Sequence, residues 1–371
     1  MQNPIYKNII KLIERDSKFS TYKFALLRGV IDVIQDNSPY AHRIKDEIKI
    51  PLGLLIEKWI LYYYPLLESE ISIPQINGDN NLQFEYQLKE IIFYYKNKGG
   101  LSTFYNDLRI KNIPNDLRKE FLLLLKKLQK TITEMPMKYI GQSINKEYYS
   151  IFKFEKSQSR LKNSTTINTL FLIDNFGYFT LPVEYYEVFS FMGTFLSGQD
   201  SILIKWADFS VLASKSKINF STVIEKLILC PITERDVDDS KNLYKSIISK
   251  YKEFNCVWTG CGIKKLNIDH VIPFSIWKNN DLWNLLPAEE KVNNNKRDKI
   301  PSINLIESRK DSIFSYWELL LENNSKRFQS EIEVSLLGHE FNQNWRLESI
   351  NKLKDTCNYL INERGYEEWK L

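Results

Sequence analysis

The sequence predicts an α+β fold that is mainly α. Apolar residues recur at three- and four-residue spacing early in the chain, as at Phe24, Leu27, Ile31 and Ile34. That is the period of a helix with one buried face. Residues 136 to about 215 change to aromatic-rich alternation and turn signals, which read as short strands. Past residue 240, two short apolar runs lead into a helical stretch whose charges are ordered by sign, and helical periodicity then resumes. The expected organisation is a helical N-terminal region over 1–135, a mixed middle region with a short β-hairpin over 136–239, and a C-terminal region over 240–371. In the last, two strands and a helix are embedded among helices.

The elements follow in order. The longest apolar stretch, Pro51 to Leu67, is interrupted by Glu57, Lys58 and Pro65. It is too short and too charged to span a bilayer and reads as a buried helix. Helical runs are expected over Phe84–Tyr95 and over Leu117–Ile132, the second opened by Pro114-Asn115-Asp116, with Gly99-Gly100 breaking the chain between them. Tyr148–Glu155 alternates like a strand. Thr169–Leu181 reads as a hairpin with Asn175-Phe176-Gly177 near its turn. Helices are expected near Tyr185–Leu196, Ser201–Ala213, Ser240–Tyr251, Ile303–Leu321 and Trp345–Leu360, with Gly365 as a terminator.

Charge and cysteine usage bound the setting. The formal net charge is only +5, which permits a local basic groove without announcing one. Lys153 to Lys162, with Lys156 and Arg160 between, is the basic stretch that stands out. Four cysteines without a framework pattern fit a reducing compartment. Met1-Gln2-Asn3-Pro4 lacks a basic-then-apolar signal. A cytoplasmic protein with no membrane partner is therefore expected.

The chemistry lies between Asp269 and Ser302. Asp269-His270 offers a carboxylate and an imidazole side by side. Asn284 follows fourteen residues after the histidine, Asn293 nine after that, and Lys296 three further on. Apolar Leu266, Ile268, Val271 and Ile272 predict a short strand through Asp269-His270, ended by Pro273. Asn284-Leu285-Leu286 predicts a second, stopped by Pro287. Ala288–Lys299 has helical composition, with Glu289 and Glu290 in its first turn and Lys296, Arg297 and Lys299 in its last, which suits the helix dipole. On that helix Asn293 and Lys296 share a face.

These residues resemble the HNH, or ββα-metal, nuclease motif. The spacing is most similar to the HNH domain of guide-RNA-directed CRISPR nucleases, and everything before about residue 240 lies outside the resemblance. The resemblance implies that His270 is the general base that activates water, a task suited to an imidazole at neutral pH. It implies that Asp269 and Asn293 hold the cation, as hard oxygen donors that favour Mg²⁺ or Mn²⁺. Asn284 would position the loop that carries the base, and Lys296 would touch phosphate or close the helix. Many relatives add two Cys-x-x-Cys pairs that bind a structural zinc. Here those positions hold Cys256, Thr259, Glu289 and Val292. One cysteine cannot fill a tetrahedral site, so no structural zinc is expected, and Val257, Trp258 and Val292 should pack in its place.

The expectation is a metal-dependent endonuclease that hydrolyses DNA, in bacterial restriction or antiviral defence. The 136–239 region would serve targeting or docking of a partner protein such as an ATPase. A nuclease-dead DNA-binding or scaffolding subunit and an RNA-cutting toxin stay open as alternatives.

Overall fold

The computed structural model describes residues 4–14, 16, 18–78, 81–140, 150–157, 166–197, 202–232, 235–251 and 254–371. They form two compact units, Met1–Pro231 and Ile232–Leu371.

The first unit is built around the helix Leu52–Glu68. Leu52, Leu55, Ile56, Trp59, Ile60, Tyr63 and Tyr64 are all buried. They line one face, and Glu57, Leu61, Tyr62, Pro65 and Leu66 on the other sides are buried too, which is why the helix lies inside the unit. The helices Tyr22–Gln35, Glu85–Tyr95, Arg118–Glu134 and Thr169–Asn175 pack around it. A Cβ at Gly53 would lie 2.0 Å from the Leu172 carbonyl oxygen, so the two backbones meet only because glycine has none. Both charges inside the helix are answered. The Thr169 hydroxyl donates to Glu57 at 2.9 Å, and Lys58 pairs with Asp36 at 2.6 Å.

A four-stranded antiparallel sheet completes this unit: β1 His42–Ile44, β2 Glu47–Pro51, β3 Lys153–Glu155 and β4 Tyr178–Pro182, in the order β1-β2-β4-β3. Ile48 opposes Leu181 and Ile50 opposes Phe179, and all four side chains are buried. The regions anticipated at 1–135 and 136–239 thus share one sheet and one core. β1 and β2 also interrupt the first 135 residues, where only helix was expected.

The expected hairpin over Thr169–Leu181 is not formed. Thr169–Asn175 is a helix, opened by the Asn168 side chain, which accepts from the Phe171 N–H at 3.0 Å. That cap overrides the strand-like composition of Thr-Leu-Phe-Leu-Ile. Gly177, at φ +79°, then turns the chain into β4. Of the strand expected over Tyr148–Glu155, Lys153–Glu155 is present and residues 148–149 lie outside the described residues. In the basic stretch, Lys153 pairs with Glu47 across the sheet, and Arg160 lies outside the described residues.

The second unit opens with the helix Asp238–Tyr251. β5 Asn267–His270 and β6 Leu285–Ala288 pair antiparallel, with Asp269 opposite Leu286 and His270 opposite Leu285. The helix Glu290–Lys296 follows. Long helices Ile303–Asn323 and Trp345–Asn362, with Ser325–Ile332 between, form the body. β7 Ile300–Pro301 and β8 Glu368–Trp369 pair in parallel. Trp258, Trp283, Trp317, Ile313, Leu320, Phe328 and Leu353 are fully or almost fully buried.

Two boundaries differ from expectation. β6 runs through Pro287 instead of stopping there. The Pro287 carbonyl accepts from the Val257 N–H at 2.9 Å, so this residue's polar groups face away from β5 and its missing N–H costs no ladder bond. The helix ends at Lys296, not Lys299, because Arg297 takes φ +54° and turns the chain toward β7.

Candidate active site

The β5–β6 pair and the helix Glu290–Lys296 bring all five anticipated residues into one place. Asp269 and His270 end β5, both buried. Asn284, just before β6, is fully buried. Its Oδ1 accepts from the Ile272 N–H at 2.7 Å, and its Nδ2 donates to the Ile272 carbonyl at 3.0 Å and the Asn279 carbonyl at 3.3 Å. Its side chain closes the loop between His270 and β6. Asn293, on the helix, is half-buried, and its Nδ2 reaches the Ile268 carbonyl at 3.5 Å.

Lys296 lies deeper than expected. It is fully buried, and its ammonium donates to Asp269 at 3.1 Å and 2.9 Å and to the His270 carbonyl. Trp258 Nε1 also donates to Asp269 Oδ2, at 2.7 Å. Burial lowers the pKa of Lys296, and the adjoining carboxylate opposes that. An ion pair this buried contributes little net stability while intact, yet breaking it leaves a costly unpaired charge.

His270 is engaged at both ring nitrogens. Nε2 lies 3.0 Å from Asn280 Oδ1, and Arg235 Nε donates to Nδ1 at 3.2 Å. Asn280 Oδ1 also accepts from the Asp236 N–H at 3.3 Å. An amide oxygen only accepts, so the proton of the neutral imidazole is on Nε2 and the lone pair is on Nδ1. Burial drives the pKa of His270 down to about 4; Asn280 opposes the shift and the charge of Arg235 adds to it. The ring is therefore neutral near pH 7.

The loop presenting Asn280 is braced from behind. Asp281 Oδ2 accepts from Asn279 Nδ2 at 2.8 Å, Trp283 Nε1 at 3.1 Å and Ser335 Oγ at 2.8 Å. Glu331 accepts from the Leu282 N–H at 2.6 Å and from Arg327 at 2.7 Å. Asn280, Arg235 and this bracing pair escaped the sequence reading. Asn279-Asn280 just before Asp281 was the one local cue. Arg235 is too far from the motif in sequence to show any spacing.

Asp269 and Asn293 offer oxygen donors of the kind a hard divalent cation takes. Among the described residues, Asp269 Oδ1 accepts only from Lys296, and Asn293 Oδ1 accepts no hydrogen bond. Two hard oxygens on adjoining elements suit Mg²⁺ or Mn²⁺, which keep water or phosphate for their other ligands. No cluster of three or more His, Cys, Asp or Glu converges among the described residues. Beside the zinc-type position Cys256, Val257 and Trp258 are buried, Val292 is half-buried, and Cys256 donates through its backbone N–H to the Cys261 carbonyl at 2.7 Å.

Comparison with known families divides the chain where the structure does. The family model described as Domain of unknown function (DUF8808) matches residues 2–227, more than half of the chain. The chain belongs to the DUF8808 family. A second model, described as HNH endonuclease, matches residues 259–302. In this DUF8808 protein the second unit therefore carries a segment similar to HNH endonucleases, which supports a nuclease-type hydrolase in general. No curated protein and no solved structure matches the chain. No helix among the described residues is long and apolar enough to cross a membrane.

Proposed function

We propose that this protein is a metal-dependent endonuclease that hydrolyses DNA phosphodiester bonds, with His270 as its general base. The carrying observation is the pair of contacts at the His270 ring, from which its tautomer follows. Asn280 holds the Nε2 proton, so Nδ1 is the one basic nitrogen, and it belongs to a residue adjacent to Asp269. Nδ1 takes a proton from water, and the hydroxide attacks phosphorus. One P–O ester bond breaks, and the departing oxygen takes a proton from solvent. Asp269 and Asn293 would hold Mg²⁺ or Mn²⁺, which when bound neutralises charge on the phosphate and the departing oxygen. Asn284 keeps the base in register, and Lys296 holds Asp269 in place.

The DUF8808 region supplies targeting or docks a partner protein such as an ATPase, and the setting is restriction or antiviral defence in the cytoplasm. A large folded unit joined to a small cutter supports that division of labour. One observation favours a second reading, a nuclease-dead binding subunit: Arg235 covers Nδ1 and Lys296 covers Asp269. The test is to incubate the full chain with supercoiled plasmid, linear duplex and RNA, in Mg²⁺, in Mn²⁺ and in EDTA. Metal-dependent nicking or linearisation of DNA is expected. Cutting of RNA alone would move the substrate, and no cutting by well-folded protein would favour the binding subunit.

A further inference from the structure

We propose that Arg235 is a substrate-displaced cap on the base: its guanidinium leaves His270 for the scissile phosphate, so that phosphate arrival uncovers Nδ1. This rests on the nuclease reading and extends it to a residue outside the segment matched to the HNH endonuclease model.

The geometry supports each half. Arg235 is an exposed residue, yet its Nε reaches the buried Nδ1 of His270 at 3.2 Å and its Nη2 reaches the Ile268 carbonyl at 3.1 Å. With the Nε2 proton held by Asn280, the covered nitrogen is the one that would accept a proton from water. A guanidinium does not deprotonate in a protein, so the cap comes off by moving. Both of its partners are neutral, and among the described residues no carboxylate pairs with Arg235. Charge-assisted, two-pronged bonds to a phosphate are stronger than bonds to an imidazole and an amide carbonyl. A phosphodiester therefore draws the side chain away where a neutral solute does not.

The position fits as well. The Ile268 carbonyl that holds Arg235 is also the one that Asn293 Nδ2 approaches, at 3.5 Å. The guanidinium thus bridges from the base to the strand oxygen beside the proposed cation ligand. A phosphate joining cation and base has to occupy that span, and the departing fork stays within reach of its non-bridging oxygens.

The test uses the full chain in EDTA, so that neither readout needs catalysis. In the first, diethyl pyrocarbonate labels the histidines and mass spectrometry reads each site. His42 and His339, both exposed, serve as internal references. Labelling of His270 is expected to be slow in the wild type and about tenfold faster in Arg235→Ala, with the references unchanged. In the second, binding of a 30-base-pair duplex is titrated with salt. Arg235→Ala is expected to bind several-fold more weakly, with the salt slope reduced by about one, and Arg235→Lys to recover much of the binding. Circular dichroism confirms folding of each variant. Unchanged His270 labelling in Arg235→Ala overturns the cap, and unchanged duplex affinity and salt slope overturn the transfer to phosphate. Failure of the wild type to cut DNA in Mg²⁺ would count against the nuclease reading and leave both readouts standing.

Discussion

The two units bury different kinds of residue. The interior of Met1–Pro231 is aromatic and aliphatic, with rings such as Trp59, Tyr63, Phe84 and Trp206 in mutual contact. Its buried acids lie singly: Glu57 against Thr169, and Asp16 against Lys23 at 2.8 Å. The smaller unit Ile232–Leu371 buries Asp269, His270, Asp281, Lys296 and Glu331, with Asn279 and Asn284 among them. Burying ionised and polar groups costs stability unless each is paired and hydrogen-bonded. Such a cluster is kept where its positions serve chemistry. The difference separates a unit held by apolar packing from one that buries a cluster of ionisable and amide side chains.

The largest expected effect breaks the buried pair. Lys296→Met leaves Asp269 charged and unpaired, and should lower unfolding free energy by about 3–5 kcal/mol. The double variant Lys296→Met with Asp269→Asn should regain much of that, since neither charge remains. Urea denaturation of both variants decides it. A small loss in the single variant would mean that the pair is not buried in solution.

Asn284→Ala removes the clamp on the Ile272 backbone and should cost about 2–3 kcal/mol, because buried donors and acceptors lose their partners. It should also slow cleavage by letting the base move. A loss of stability without any change in cleavage would detach Asn284 from the site.

In the first unit the matching probe is steric. Gly53→Ala puts a methyl against the Leu172 carbonyl and should destabilise by about 1–3 kcal/mol. The chemical step of cleavage should be unchanged at temperatures where the variant stays folded. A slower chemical step in the folded variant would show that the units are coupled. Asn168→Ala, which removes the cap on Thr169–Asn175, should cost only about 1 kcal/mol by thermal melting.

Much of this site was legible because its parts are local. Asp269 and His270 are adjacent and Asn293 and Lys296 share one helix turn, so spacing showed each pair together, and the resemblance to the HNH motif implied that the two pairs meet. What spacing hides is depth. Lys296 reads like any basic residue at a helix end, yet the chain packs Trp258 and β5 over it and turns it into a buried counter-ion. Arg235 and Asn280 belong to the site only because the loops fold back onto β5, and no sequence period records that. In the first unit, the strand partners β2 and β4 are more than a hundred residues apart, so one sheet spanning both anticipated regions left no local trace. The helix Thr169–Asn175 was misread because its β-branched and aromatic residues outweighed a single capping asparagine.

The proposed role of His270 is to convert water into the nucleophile. Its most direct test is single-turnover cleavage of supercoiled plasmid DNA in Mg²⁺ by the wild type and by His270→Ala, with both proteins shown to be folded and DNA saturated by each. The variant should cut more slowly by about 10²-fold or more while binding DNA as the wild type does. Equal cleavage rates would contradict the assignment of His270 as the base.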